Sequence, residues 1–248
     1  MAATVLGVCP DASVVHLTHG ITPYSIIEGA RQMECVTTIP KGVHVCVVDP
    51  GVGSDRLSMV LDVPGVGYLV GPDNGVLIPA AKKAGGIRDA RSIENKSLIR
   101  HPTSTTFHGR DVFSSVAGHL ARGVPFEEVG SRLDAATLVP APYADAVFER
   151  DHIRAKIIHI NRYGNCILNI SEDVIYDESL KAHYYRLITN EGKPSDIHAV
   201  ACFSSVPVGD ALLYPDSYGR VALALNQGSA SQKFHLKLGD EIELTILR

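Results

Sequence analysis

Three loops in the first half of this sequence gather the side chains that acid–base chemistry uses. The first is VVDPGVGSDR (47–56), where an apolar run ends at Asp49 and Pro50-Gly51-Val52-Gly53 turns the chain sharply. In open α/β sheets ligands bind beyond the carboxyl ends of strands, which is where this spacing puts Asp49. The alternative is that Asp49 caps the turn through its own backbone. The segment matches neither nucleotide fingerprint: it lacks the third glycine of a dinucleotide loop and the Gly-Lys-Ser/Thr of a phosphate loop. The second is VGPDNGVL (70–77), whose Asp73-Asn74-Gly75 reads as a turn with Asn74 capping a helix. The third is TTFHGRDVF (105–113), with His108 at a loop-to-helix junction, Asp111 as a cap and Arg110 as its ion-pair partner. An Asp, an Arg and a His on loops of one domain suit one task. The Asp–His pair orients and deprotonates a water, while the Arg keeps the carboxylate charged and the nucleophile placed.

The second half offers groups suited to a purine. NRYGNCILNI (161–170) sets Asn165 just after Tyr163-Gly164, and DSYGRVALALNQGSASQKF (216–234) sets Ser217-Tyr218-Gly219 before a strand and Asn226-Gln227 after it. Amides pair with the edge of a base and aromatic rings stack on its face. Equally, both segments serve as turns that join strands.

The elements that must carry these loops follow from hydrophobic periodicity. Ser13–Leu17, Val43–Asp49, Ser58–Val63, Tyr68–Val70 and Ile87–Ile93 read as strands. Ser25–Thr37, Asn74–Lys83 and Asp111–Arg122 read as helices, the last with apolar residues at i, i+1, i+4, i+5 and i+8. Strands alternating with helices predict a layered α/β domain with a mostly parallel sheet. The Pro- and Ala-rich stretch 138–146 reads as a linker. Beyond it, Lys156–Ile160, Cys166–Ile170, Tyr185–Ile188, Val200–Phe203, Ala211–Tyr214, Arg220–Leu225 and Glu241–Leu247 are short, β-rich and split by Gly, Asn and Pro. That texture predicts a small antiparallel barrel or sandwich. The expected architecture is an α/β domain over 1–140 followed by a β domain over 150–248.

Length and charge narrow the function. A chain of 248 residues suits two modest domains. Its net charge is −4, from 23 Lys+Arg against 27 Asp+Glu, which lacks the electrostatic footprint of a nucleic-acid or anionic-membrane binder. No apolar run reaches the ~18–20 residues of a membrane span, and the N-terminus has no secretory signal. The five cysteines are scattered without CxxC spacing, as expected of reduced thiols in the cytoplasm, and the histidines show no ligand spacing for a metal.

Taken together and in order, these segments are far more specific than any one of them. The chain resembles the S-adenosyl-L-methionine hydroxide adenosyltransferases, relatives of the bacterial fluorinase and chlorinase. The resemblance runs from PDASVVHLTHGI (10–21) through VVDPGVGSDR, VGPDNGVL, TFHGRD, YGNCILNI and ALNQGSASQKF to LGDEIEL (238–244). It implies a Rossmann-like three-layer α/β domain, a C-terminal antiparallel β-barrel, and a homotrimer with the site at the subunit interface. It places the catalytic Asp, Arg and His on Asp49, Arg56 and His108. The adenosine contacts fall on Asn165 at the ribose side, on Ser217 and Tyr218, and on the Leu225–Gln227 stretch, with Asn226 and Gln227, near adenine. S-adenosylmethionine is then the substrate and no cofactor is implied. The halogenases carry Tyr where this chain has Asp49; a carboxylate there repels a halide and attracts a water proton, so water is the expected nucleophile. Halide-dependent adenosyl transfer and adenosine binding without turnover are the competing readings.

Three positions depart from the family pattern. Members usually begin with a strand and an Asp-Phe-Gly-like turn whose Asp grips the ribose hydroxyls. This sequence starts after that point, so that MAATVLGV reads as the crossover helix following the strand. Asn161 stands where an Asp is common, and Gly20 where a Glu is usual.

Overall fold

In a computed structural model the described residues are 1–176, 184–189 and 194–247, and they form two compact units, Met1–Pro142 and Tyr143–Arg248. The first unit holds a four-stranded sheet of β1 (Gly42–Val45), β2 (Ser58–Val63), β3 (Gly67–Pro72) and β4 (Asp89–Ser92), in the order β1-β3-β2-β4. Its main helices are α1 (Ala2–Val8), α2 (Ile26–Met33), α3 (Ile78–Lys83) and α4 (Ser114–Ala121). The N-terminal MAATVLGV forms the expected helix.

The sheet is mixed rather than mostly parallel. Only β1 and β3 run parallel, whereas β2 is antiparallel to both β3 and β4. The reason is local. Pro64-Gly65 lies in a tight turn between β2 and β3, and a hairpin can only join antiparallel strands. The pleat still gives the sheet two apolar faces. Val60 and Val70, opposite each other, join Val112, Phe113, Val116 and Leu120 in one cluster. The alternating Met59, Leu61 and Leu69 are buried on the other face. Helices α2 and α3 lie together, while α1 packs on α4 so closely that Gly118 has the Val5 carbonyl and the Val8 side chain where a Cβ would go.

Two further sequence expectations fail here. Ser13–Leu17 forms no strand; all five residues are exposed, so the alternation has no buried face to serve. The strand expected over Val43–Asp49 stops at Val45, with one more ladder bond from Cys46 N to the Val70 carbonyl at 3.0 Å.

The second unit contains β5 (Val147–Glu149), β6 (His152–Ile160), β7 (Cys166–Ser171), β8 (Tyr184–Ile188), β9 (Ser195–Ala199), β10 (Ala211–Pro215), β11 (Arg220–Leu225) and β12 (Glu241–Leu247). Pairing runs β12-β8-β9-β10-β11-β7-β6, and β6 pairs back to β12, so seven strands close a barrel with β5 attached to β6. Strand direction cannot alternate all the way round an odd-numbered ring, so one pairing must be parallel. That pairing is β9–β10. Inward residues alternate along each strand, as in Ile153, Ala155 and Ile157 of β6 and Ile242, Leu244 and Ile246 of β12. The strand expected over Val200–Phe203 is absent; β9 lies earlier, and Phe203–Ser205 is a 3-10 turn. The linker stretch is tied down at both ends, by Val139 N donating to Asp73 Oδ1 at 2.9 Å and by Ala146 N donating to the Asn169 carbonyl at 3.1 Å.

Candidate active site

The residues after β1 leave the sheet as a short extended arm that ends at Asp49. Close approach on both sides holds this arm. Gly29 of α2 lies against Val48, where a Cβ would meet Val48 Cγ2 at 2.7 Å, and Gly109 lies against Val47. Asn74 supplies the third restraint: its Nδ2 donates to the Val48 carbonyl at 2.8 Å while its Oδ1 accepts from Val76 N at 3.2 Å. Asn74 thus braces the segment that carries Asp49 as well as shaping its own turn.

Arg56 folds back over this arm. Its Nε donates to Asp49 Oδ1 at 2.9 Å and to Oδ2 at 3.1 Å, and its Nη2 donates to Oδ2 at 2.5 Å. The pair is secluded, with the Arg56 side chain 10% exposed and that of Asp49 5%. Nη2 also approaches His108 Nδ1 at 3.0 Å, so a single guanidinium nitrogen touches both the carboxylate and the imidazole. The remaining nitrogen, Nη1, donates to Ser58 Oγ at 2.6 Å and to the Leu57 carbonyl at 3.3 Å. The guanidinium carbon lies 5.3 Å from the centre of the buried Phe113 ring. Burial, reinforced by the Arg56 charge, pulls the His108 imidazole below its ordinary value, against the opposing pull of Asp49 and Asp111.

His108 opens a π-helical turn, Gly109–Phe113, a form that occurs often at functional sites. Asp111 sits inside that turn, fully buried. It is the hub of the loop before it, accepting from Ser104 N at 2.8 Å, Arg100 Nη1 at 2.9 Å, and Arg110 Nε and Nη2 at 2.6 and 2.8 Å. These donors hold its carboxyl far below the usual range, Arg110 foremost. The loop then leans on the Pro50–Gly53 turn. Gly53 has φ +82°, and a Cβ there would lie 2.9 Å from the Thr105 carbonyl. Only glycine suits both conditions.

The structure therefore brings Asp49, Arg56 and His108 into one cluster. Ser58 and Phe113, which contact Arg56 directly, went unnoticed in the sequence because one looks like a strand residue and the other like helix core.

In the barrel, Asn165 and Asn226 lie at one end of the β7–β11 pair, where Cys166 faces Leu223. Asn165 Nδ2 donates to the Tyr214 hydroxyl at 3.4 Å, and the Phe203 ring lies 4.8 Å from that of Tyr214. Tyr214 beside the amide, and Phe203 behind it, were not picked out in the sequence, since neither stands near Asn165 in the chain. Asn226 is buried and its Nδ2 donates to the Val206 carbonyl at 2.8 Å. Gln227 is exposed in a left-handed conformation. Ser217 and Tyr218 are exposed in the turn before β11, with Tyr218 N donating to Asp216 Oδ1 at 2.8 Å. The length of β11, about 20 Å at ~3.3 Å per residue, separates them from Asn226. The Tyr163-Gly164-Asn165 turn packs on Ser229–Ser231, with Ser231 N donating to the Gly164 carbonyl at 2.9 Å, so two of the sequence motifs form one surface.

Comparison with known proteins matches this arrangement to one family. Residues 1–130 match the SAM hydroxide adenosyltransferase N-terminal domain and residues 155–243 match the C-terminal domain. A Salinispora tropica protein named (R)-S-adenosyl-L-methionine hydrolase is 36% identical over 95% of this chain and 87% of its own length. A fluorinase from Nocardia brasiliensis is 26% identical over 98% of this chain and 90% of its own. The crystal structure of an uncharacterized conserved protein from Thermotoga maritima superposes with a TM-score of 0.90 at 32% identity, covering 98% of this chain and 93% of that one. The chain belongs to the SAM hydroxide adenosyltransferase family.

Proposed function

We propose that this protein hydrolyses S-adenosyl-L-methionine to adenosine and L-methionine by attack of an activated water on the ribose C5′ carbon. The observation that carries this is the cluster in which Arg56 holds a secluded carboxylate, Asp49, and an imidazole, His108, on one nitrogen. Relatives named (R)-S-adenosyl-L-methionine hydrolase, 36% identical to this chain, support it.

The chemistry sets modest demands. The substrate sulfur is a sulfonium, so when the water oxygen bonds to C5′ the C5′–S electron pair returns to sulfur and neutral methionine leaves. No general acid is needed. One water proton passes to the Asp49–His108 pair and the other remains on the new 5′-hydroxyl. A positioned base contributes ~10²–10⁴-fold, and in-line alignment of the water adds to it. Asp49 also argues for water over a halide, because an anion approaching that carboxylate is repelled. We assign Asn165, Ser217, Tyr218, Asn226 and Gln227 to substrate contact, with the two groups along β11 facing different parts of an elongated substrate. The reading includes a homotrimer with the site at the subunit interface and a cytoplasmic setting. Five free thiols are compatible with that setting, and among the described residues no helix is long and apolar enough to cross a membrane.

Incubation with S-adenosylmethionine, followed by chromatography for adenosine and methionine in equal amounts, tests the proposal. A 5′-halo-adenosine at high chloride identifies a halide transferase instead, and binding without either product identifies a non-catalytic binder. Light scattering coupled to gel filtration tests the trimer.

A further inference from the structure

All five N–H groups of Arg56 are engaged within the protein. Nε serves the Asp49 carboxylate, Nη1 serves Ser58 Oγ and the Leu57 carbonyl, and Nη2 serves Asp49 and His108. No donor is left for a water or a substrate. Arg56 is thus a positioning residue, and its placement depends on what holds Nη1. Ser58 makes the shorter of the two contacts on that nitrogen, 2.6 Å against 3.3 Å. It is the first residue of β2, in a backbone already fixed by Ile93 N donating to its carbonyl at 2.8 Å, so its hydroxyl is a rigid stop.

We infer that Ser58 is a positioning residue for the reaction, acting through Arg56 to fix His108 as the neutral Nε2–H tautomer, so that Asp49 alone takes the water proton. A guanidinium donates and never accepts. The 3.0 Å contact from Nη2 therefore requires a lone pair on His108 Nδ1. The ring proton then sits on Nε2, which becomes a donor. A neutral imidazole with Nδ1 occupied and Nε2 protonated has no site for another proton while this contact lasts. His108 thus holds the water oxygen by donation. The proton leaves toward Asp49, where Oδ2 accepts from both Nε and Nη2 of Arg56 while Oδ1 accepts from Nε alone and keeps a lone-pair site for it. The balance is simple: oxygen bonds to C5′, the C5′–S pair goes to sulfur, and one proton moves from water to the Asp49 carboxylate. His108 ends as it began.

The catalytic part of this inference rests on the hydrolase reading, but the tautomer does not, and the test separates them. The protein labelled with ¹⁵N is examined at neutral pH by imidazole ¹H–¹⁵N correlation without substrate, and the His108 signal is identified by its loss in His108→Gln. The expected result is a pyridine-type Nδ1 and a pyrrole-type Nε2; a pyrrole-type Nδ1 overturns the inference. Ser58→Ala is expected to mix the tautomers and to lower kcat about tenfold with KM nearly unchanged, the scale of one hydrogen bond to a charged group. Ser58→Thr, which keeps the hydroxyl, restores both. A Ser58→Ala protein with unaltered His108 signals and kcat shows that Ser58 has no such role. If the wild type lacks hydrolase activity while the His108 signals are as expected, the hydrolase reading fails and the tautomer assignment stands.

Discussion

Replacing Asp49 by Asn separates a catalytic carboxylate from a structural one. The two side chains are almost the same shape, and the Asp49 backbone carbonyl keeps its bond from Val52 N at 3.2 Å, so the turn itself is unaffected. What changes is the charge beside Arg56. Breaking a buried ion pair by removing one partner costs ~3–5 kcal/mol. Here the asparagine carbonyl still accepts from Arg56, and Ser58, the Leu57 carbonyl and His108 still hold the guanidinium, so about 2–3 kcal/mol is expected. At ~2–4 °C per kcal/mol for a chain of this size, the first unit's unfolding midpoint falls by roughly 5–10 °C. An amide is no base, so adenosine release falls ~10²–10⁴-fold on top of that. Calorimetry gives the first number, and chromatographic adenosine release at saturating substrate, well below the midpoint, gives the second. Turnover within about tenfold of wild type, whatever the midpoint does, refutes the assignment of Asp49 as the proton acceptor.

The pH dependence has a definite sign. Burial and Arg56 lower the His108 pKa while Asp49 and Asp111 oppose them, and the net shift is downward from the ordinary value of 6.5. The neutral ring, and with it activity, persists below that pH and is lost only at more acid values. Because the unfolded chain takes up this proton first, the group's stability contribution also declines as pH falls through about 6.5. An acid limb of kcat/KM at or above 6.5 contradicts this. Gly118→Ala puts a methyl 2.9 Å from Val8 Cβ and is expected to loosen α1 from α4. A net loss of about 1–3 kcal/mol in urea unfolding and faster amide exchange over residues 2–8 are the measurements. Gly164→Ala must adopt φ +80° with its methyl driven into the Ser229 side chain, so it should destabilise the barrel and raise KM through displaced Asn165; an unchanged KM removes Asn165 from substrate contact.

Much of the site was legible in the chain because its chemistry is local. VVDPGVGSDR carries both members of the ion pair seven residues apart, and TTFHGRD carries the histidine at a helix entry, so residue types and order drew attention to Asp49 and His108, and the family resemblance added Arg56. Strand positions were legible for the same reason, since alternation along β6 or β12 is a property of the segment itself. Direction and partnership were not. That β2 runs against β3, and that a seven-stranded ring needs the parallel β9–β10 pair, follow from how segments close on one another, as does the failure of Ser13–Leu17, whose alternation meets no neighbour. The same holds at the finest scale. Sequence alone supplies an arginine near an aspartate; the fold decides that β2 offers Ser58 to Nη1, that the π-turn offers Phe113 to the guanidinium face, and that His108 meets the one remaining N–H. Those contacts join Arg56 to residues as remote in sequence as His108 and Phe113, and the distance between side chains so far separated in sequence is fixed only when the backbone between them has packed.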